Sequence, residues 1–222
     1  MSKSQIRIAC LANSYKEGGR CVAGVKVDEN GSPEKPVKWI RPVCTTTEGE
    51  IPTQLVQNLL PLDIIQFEKI ADAPKVFQTE NVLFDEKSLQ VVGKFQQNKL
   101  NELCDQRQFL LFSNKTKSVD QEEAKTLNHS LTMIYTEHFK VYEHQYEDRV
   151  RPQIRLRFSF DIYSYDFPIT DPVFLSNYKQ NKQLLSGVEK IYLTLSLGQL
   201  HEGRHYKLIA CILTTTIEKT KK

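Results

Sequence analysis

The residues best suited to chemistry are arginines and aromatic side chains on predicted strands. Apolar and polar residues alternate in Ile154–Phe160, which places Arg155 and Arg157 on the face opposite the apolar side chains. Successive side chains on one strand face are about 6.6 Å apart. That spacing resembles the phosphate repeat of a nucleic-acid strand, and Arg149 and Arg151 would extend the same ladder. The alternative is that neighbouring strands supply acidic partners to these arginines.

Two further segments combine cations with groups that could hold a nucleotide. On a strand, Trp39 and Arg41 share a face, where an indole could stack on a base and a guanidinium could pair with its phosphate. The only Trp of the chain could equally belong to the core. In Gly18-Gly19-Arg20, backbone N–H groups and Arg20 could hold a phosphate. The alternative is a tight hairpin turn with an arginine facing solvent.

The segment from Ser196 to Tyr206 is either a ligand rim or a plain hairpin connection. It gathers polar and aromatic groups, including Ser196, Gly198, His201, Arg204 and Tyr206. Upstream, Thr170 or Asp171 is a ready N-cap for a helix whose first residue is Pro172. That structural role is sufficient to explain the Thr-Asp-Pro sequence.

Several function classes find no support in the sequence. None of the common hydrolase, nucleotide-binding or zinc-protease motifs is present, and no reaction can be named. The five cysteines include no pair with zinc-ligand spacing, which favours reduced thiols in a cytoplasm. No stretch approaches the about 18 apolar residues of a membrane helix, and no signal peptide is apparent. We predict a cytoplasmic protein without metal, cofactor or membrane contact.

Charge is unevenly distributed along the 222 residues. Residues 149–222 contain twelve Lys and Arg against six Asp and Glu, whereas the rest of the chain is slightly acidic. A basic region favours polyanionic partners such as nucleic acid, although an excess of this size also occurs on ordinary solvated surfaces.

The elements that would position these residues are mostly strands. About ten short strands and few helices predict an all-β architecture of small barrels. We expect strands over Leu131–Tyr146 and Gln153–Tyr165 and a helix over Phe174–Leu185. A polar region between residues 96 and 127 predicts the domain junction, giving domains over 1–110 and 111–222.

Short motifs in a fixed order make the chain similar to a known family. They are Cys10–Ser14, Gly18–Gly24, Trp39–Val43, Phe77–Asn81, Thr170–Pro172, Ser196–Gly198 and Tyr206–Ala210. Together they resemble bacterial dual-OB-containing domains, although Thr79 stands where the family has proline. The resemblance implies two OB-like barrels in tandem and a nucleic-acid-binding role, in bacterial defence or nucleic-acid transactions.

The residues and the resemblance together predict a module that binds nucleic acid, single-stranded DNA or RNA, in a groove across both barrels. The expected contacts are Arg20, Trp39, Arg41, Arg155, Arg157, Arg204, Tyr206 and Lys207. A ligand pocket could be formed by Asn13, Ser14, Gly19, Asp171, Ser196, Gly198 and His201. Two alternatives stay open: a sensor of a small molecule or modified nucleotide, and a scaffold that binds a protein partner through a sheet edge.

Overall fold

A computed structural model describes residues 4–105 and 109–214. The N-terminal part is built mainly from strands, as the alternating apolar pattern predicts. Its elements are β1 (Ser4–Lys16), β2 (Gly19–Lys26), β3 (Trp39–Val43), α1 (Thr53–Val56), β4 (Asp63–Asp72), β5 (Asn81–Phe84) and β6 (Gln90–Lys94).

Five of these strands close into barrel 1. The order of neighbours is β1-β2-β3-β5-β4, and β4 pairs back with β1. All pairs are antiparallel except β3 with β5, and β6 adds to the edge of β4. The first hairpin turns at Gly18, whose φ of 79° favours glycine. Closure leaves barrel 1 with a filled interior that includes Ile8, Val22 and Phe67.

In the described residues, the C-terminal part contains seven strands and one helix of more than two turns. Its elements are β7 (Ser118–Asp120), α2 (Gln121–Ala124), β8 (Leu131–Thr136), β9 (Phe139–His144), β10 (Gln153–Phe160), β11 (Tyr163–Pro168), α3 (Pro172–Gln180), β12 (Ile191–His201) and β13 (Arg204–Thr214). Two 3-10 helices, Gln97–Leu103 and Leu111–Ser113, lie between the two sets of strands.

These strands form barrel 2, which repeats the order of barrel 1. Its first strand is broken in two: β8 pairs with β12, and β9 pairs with β10. The single strand expected over Leu131–Tyr146 is therefore interrupted at Glu137 and His138. β11 pairs with β10, and a parallel bridge from Ile169 to Ile209 connects it with β13. The all-β fold of two small barrels, with a few short helices, is confirmed; the junction at residues 96–127 stays a prediction.

The helix after β11 begins as the sequence predicts. The Asp171 carboxylate accepts hydrogen bonds from the backbone N–H of Val173 and Phe174, and Pro172 is the first helical residue. The helix ends at Gln180, earlier than the expected Leu185, because the chain turns away at Asn181.

The two barrels share apolar contacts. β1 buries one face inside barrel 1 and the other against barrel 2, where Ala9 and Leu11 join Met133 and Cys211 in one cluster. Backbone hydrogen bonds also cross the boundary, including Tyr15 N–H to the Thr170 carbonyl at 2.9 Å.

Candidate functional site

The outer face of the sheet β9-β10-β11 carries cationic and aromatic side chains. β10 turns the apolar residues of Ile154–Phe158 into the core, so Arg155 and Arg157 point outward. The strand register places Tyr142 beside Arg155, and both Lys140 and Asp166 beside Arg157. The resulting basic face consists of Lys140, Tyr142, His144, Arg155, Arg157 and Asp166.

Arg155 is the anchored cation of the basic face. Its Nε donates to Asp166 Oδ1 at 2.7 Å, and its Nη2 donates to the Asp166 carbonyl at 2.8 Å. Nη1 donates to Gln153 Oε1 at 2.6 Å. Burial is the largest single influence and lowers the pKa of Arg155, but the hydrogen bond and charge of Asp166, with smaller contributions from Tyr146 and Tyr142, together outweigh it, so the pKa is raised. Most donors of Arg155 are therefore already used within the protein.

Arg157 is the accessible cation of the same face. Its side chain is 65% exposed, and its Nη2 lies 3.6 Å from the Asp166 carboxylate, beyond ordinary hydrogen-bond length. The guanidinium carbon is 5.6 Å from the centre of the Tyr142 ring. The Tyr142 hydroxyl donates to Asp166, and burial together with this bond raises the pKa of Tyr142. A fixed aromatic ring thus stands beside an arginine that can reach a ligand.

The loop of residues 145–152 extends the basic face. The Tyr146 ring packs edge-on against His144 at 4.3 Å, and the Arg149 guanidinium carbon is 5.5 Å from the same ring. The predicted ladder is therefore regular only for Arg155 and Arg157, because Arg149 and Arg151 lie in this loop before β10 begins.

Two predicted contact residues are buried between protein acceptors. Arg41 is 3% exposed and makes an ion pair with Glu80 at 3.1 Å. Lys207 is fully buried, and its Nζ donates to the carbonyls of Leu111 and Asn114 at 2.7 Å and to Asn114 Oδ1 at 2.8 Å. Burial lowers the pKa of Lys207 to about 7. Because their polar atoms face the interior, we leave both residues out of the proposed surface.

Trp39 and Arg20 lie at different places along the boundary between the barrels. Trp39 is half-buried and packs on the shared apolar clusters. It also lines a groove of about 850 Å³ together with Lys35, His129 and Met133. Arg20 is 9% exposed and lines a smaller pocket with Asn13.

The remaining predicted residues are distributed over several elements. Ser14 and Ser196 are buried on β1 and β12, and Gly19 begins β2, where a Cβ would lie 2.4 Å from the Ile51 carbonyl oxygen. The Gly198 carbonyl accepts a hydrogen bond from His205 Nδ1 at 2.9 Å. The hairpin end of β12 and β13 carries the three others, His201, Arg204 and Tyr206.

That hairpin end is more open than the buried positions. His201 and Arg204 are exposed, and the ring centres of His201 and Tyr206 are 6.1 Å apart. Arg204 Nη1 donates to Ser118 Oγ at 3.4 Å. β12 runs on to His201 and the chain turns only at Glu202 and Gly203, so most of the segment from Ser196 to Tyr206 lies on the two strands.

Sequence reasoning missed Lys140, Tyr142, His144 and Asp166 as members of a site. The signal was present, because Phe139 and Val141 alternate with these polar residues and pack against the core. What the sequence could not supply is the register that sets β9 beside β10. Among the described residues, no group of three His, Cys, Asp or Glu side chains is placed to hold a metal ion. No helix of the described ranges is long and apolar enough to cross a membrane.

Comparison with known proteins defines the class. Residues 6–212 match the family described as the dual OB-containing domain. The chain belongs to this family, which confirms the two OB barrels of the structure. No match was found among curated proteins.

Solved structures resemble the chain only distantly. One is replication protein A heterotrimer bound to ssDNA, with 10% identity, a TM-score of 0.39, and coverage of 99% of this chain and 50% of that one. This chain therefore spans half the length of that match. The p204 HINb domain has 11% identity, a TM-score of 0.38, and coverage of 94% and 96%. A murine DNA binding protein bound with ds DNA has 9% identity, a TM-score of 0.37, and coverage of 97% and 98%.

Proposed function

We propose that this protein binds nucleic acid on the basic face of barrel 2. The observation that carries the proposal is the pairing of Arg157, which is exposed, with the fixed ring of Tyr142 at 5.6 Å. A phosphate needs a reachable cation, and a base needs a flat side chain held in place. Arg157 lies on β10 and Tyr142 on the neighbouring β9, where Tyr142 is the cross-strand partner of Arg155, two residues before Arg157.

The position of the basic face within the fold supports the same proposal. OB-folds bind oligonucleotides on the face of their second and third strands and with the loops that flank it. In barrel 2 these strands are β10 and β11, and the loop of residues 145–152 joins the first strand to the second. His201, the last residue of β12, and Arg204, the first residue of β13, flank the loop between the fourth and fifth strands. Charge and aromatic groups thus coincide with the part of the fold that OB proteins use.

The charge balance of the basic face favours a polyanion. Asp166 is the one carboxylate among its six residues, and Arg155 neutralises it at 2.7 Å. The loop of residues 145–152 adds no net charge, because Glu147 and Asp148 balance Arg149 and Arg151. Lys140 and Arg157 are exposed and retain net positive charge at the surface. A strand that passes over the face could place phosphates on these two side chains and a base on Tyr142. This geometry favours single-stranded DNA or RNA, because bases must be unpaired to stack on a side chain.

We extend the proposal to a role in bacterial defence or nucleic-acid transactions, as the family resemblance implies. A groove across both barrels, with Trp39 as a second stacking residue, would lengthen the binding track. The first measurement concerns the basic face alone.

The test is fluorescence anisotropy with labelled single- and double-stranded DNA and RNA at several salt concentrations. For a single strand, log K falls with log salt by about 0.7 per phosphate contact. We expect Arg157→Gln to lower this slope by about 0.7. Tyr142→Leu should weaken binding by about 1–3 kcal/mol, the contribution of one stacked base, whereas Tyr142→Phe keeps the ring.

Arg7→Gln is the matched control, because it removes the same charge from β1 of barrel 1. An affinity that does not change with salt, or equal losses in Arg7→Gln and Arg157→Gln, would contradict binding on the basic face.

A further inference from the structure

A second pocket lies where the first hairpin of barrel 1 meets helix α3 of barrel 2. It has a volume of about 340 Å³ and is separate from the basic face. Residues of β1 and β2 form one wall of the pocket. Gln57, which follows α1, forms a second wall, and one side of α3 forms a third. The polar lining consists of Asn13, Tyr15, Arg20, Gln57, Ser176 and Asn177.

Arg20 is the unusual member of this lining. The residue is 9% exposed, and its Nε and Nη1 are buried without a hydrogen-bond partner. In residues 4–105 and 109–214, no carboxylate makes an ion pair with it, and no acidic residue lines the pocket. Burying a guanidinium without a counter-charge is unfavourable. The pocket therefore has space for an anion, and an anion there would supply the counter-charge that Arg20 lacks.

The Tyr15 ring lies against Arg20 and gives the pocket a flat rim. The guanidinium carbon is 4.3 Å from the ring centre, so the ring holds the cation in place. Tyr15 itself is 55% exposed. An aromatic face next to an anion site is suited to a base attached to a phosphate.

Asn13 adds a hydrogen-bond acceptor of fixed direction. Its Nδ2 donates to the carbonyls of Val56 and Leu59 at 2.7 and 2.9 Å, which sets the orientation of the amide. Its Oδ1 is buried and has no partner. A ligand suited to this pocket would offer a donor to Asn13 as well as an anion to Arg20. A nucleotide does both, through its phosphate and through a sugar hydroxyl or a base N–H.

We propose that this pocket binds the phosphate group of a nucleotide, with Arg20 on the phosphate, Asn13 Oδ1 on a sugar or base donor, and Tyr15 beside the base. The proposal does not depend on the basic face. The phosphate could belong to a free mononucleotide, to the 5′ end of a strand, or to an internal phosphodiester, and all three present the same chemistry to Arg20.

The experiment uses isothermal titration calorimetry on the full chain with adenosine 5′-monophosphate, adenosine and inorganic phosphate. Anisotropy with a short oligonucleotide, with and without a 5′-phosphate, follows on the same samples. We expect Arg20→Gln to weaken at least one phosphate-bearing probe tenfold or more, with Arg20→Lys intermediate. Arg7→Gln is the control for loss of one arginine.

The pattern of losses identifies the source of the phosphate. A loss for the mononucleotide assigns a nucleotide pocket, and a loss only for the 5′-phosphorylated strand assigns an end-binding site. Equal losses for both oligonucleotides assign an internal phosphodiester. If Arg20→Gln binds every phosphate-bearing probe as tightly as the wild type, the proposal is overturned. Arg157→Gln reports on the basic face, so failure of one site is distinguishable from failure of the other.

Melting temperatures test the same pocket without a direct measurement of binding affinity. Arg20→Met removes an unpaired buried charge, so the melting temperature of the ligand-free protein should rise. A saturating concentration of the phosphate-bearing probe that binds the wild type should raise the melting temperature of the wild type and leave that of Arg20→Met unchanged. A fall in melting temperature without ligand would show that Arg20 serves the fold, and would overturn the proposal.

Discussion

Arg41 offers the sharpest test of which predicted contact residues serve the fold. Its Nη2 lies 3.1 Å from Glu80 Oε1 and donates to Ser130 Oγ at 2.8 Å. The Ser130 hydroxyl in turn donates to the Glu80 carboxylate. Arg41 and Glu80 belong to barrel 1, whereas Ser130 immediately precedes β8 of barrel 2. This buried triad therefore joins the two barrels.

Replacing Arg41 with Met should destabilise the protein strongly. The side chains of Arg41 and Glu80 are 3% and 5% exposed, so the variant would leave a buried carboxylate without its counter-charge. Breaking a buried pair from one side costs about 3–5 kcal/mol. For a chain of this size each kcal/mol lowers the melting temperature by about 2–4 °C, so the expected fall is about 6–20 °C. The buried Nε of Arg41 has no partner, which favours the lower end of that range.

The assay is urea unfolding of a double-mutant cycle. The second single variant is Glu80→Leu, and the double variant carries both changes. Removing both charges replaces the pair by apolar side chains of similar size, which is often close to neutral. We expect the double variant to recover most of the stability lost in Arg41→Met, with a coupling of about 2–3 kcal/mol.

The decisive comparison is between stability and nucleic-acid affinity. Arg41→Met should lose stability but bind oligonucleotides like the wild type at temperatures where it is folded. A variant that keeps its unfolding free energy within about 0.5 kcal/mol and loses its affinity would refute the reasoning. That result would show that Arg41 belongs to the binding surface.

Two further variants probe the interior of barrel 2. The pKa of Lys207 is about 7 in the folded protein and 10.5 ordinarily, so the unfolded chain binds more protons above pH 7 and folding stability should rise with pH. The unfolding free energy of the wild type relative to Lys207→Met should therefore increase from pH 7 to pH 9, and a flat difference would contradict the assignment. Asp171→Ala removes the cap of α3 and the acceptor of the buried Ile212 N–H, 3.1 Å away. It should cost about 2–4 kcal/mol in urea unfolding, and a cost below about 0.5 kcal/mol would show that water replaces both bonds.

The local features of the fold could be predicted because they depend on neighbours in the chain. The alternation in β10 placed Arg155 and Arg157 correctly on the outer face, since a period of two admits only one assignment once the apolar face is known. The Asp171 cap and Pro172 start were predicted for the same reason. The break between β8 and β9 in the first strand of barrel 2 was not predicted. The two halves are distinguished by their pairing partners, β12 for β8 and β10 for β9, and those partners are not evident from the local sequence.

The binding surface was harder to predict because a cation on a strand can face two kinds of surroundings. Lys207 and Arg157 both lie on strands rich in β-branched and aromatic residues. Lys207 faces the interior, where the backbone carbonyls of Leu111 and Asn114 receive its ammonium. Those acceptors are more than 90 residues away in the chain. No local pattern distinguishes such a lysine from an exposed one.

The contact between the barrels explains why residues 8–12 of the first strand are all apolar. A strand on the wall of a single barrel needs apolar residues on one face only. β1 buries Ile8 and Cys10 inside barrel 1 and Ala9 and Leu11 against barrel 2. Close approach within barrel 1 requires Gly24 opposite, because a Cβ there would lie 2.0 Å from the Ala9 carbonyl oxygen.

Because both faces of β1 are covered, barrel 1 alone would expose an apolar strip. The same strand carries Asn13 and Tyr15 beyond that strip, at the point where it meets Thr170 of barrel 2. The proposed phosphate pocket therefore exists only when the two barrels are docked. The basic face needs barrel 2 alone. Any perturbation that separates the barrels should abolish binding at Arg20 before it affects Arg157.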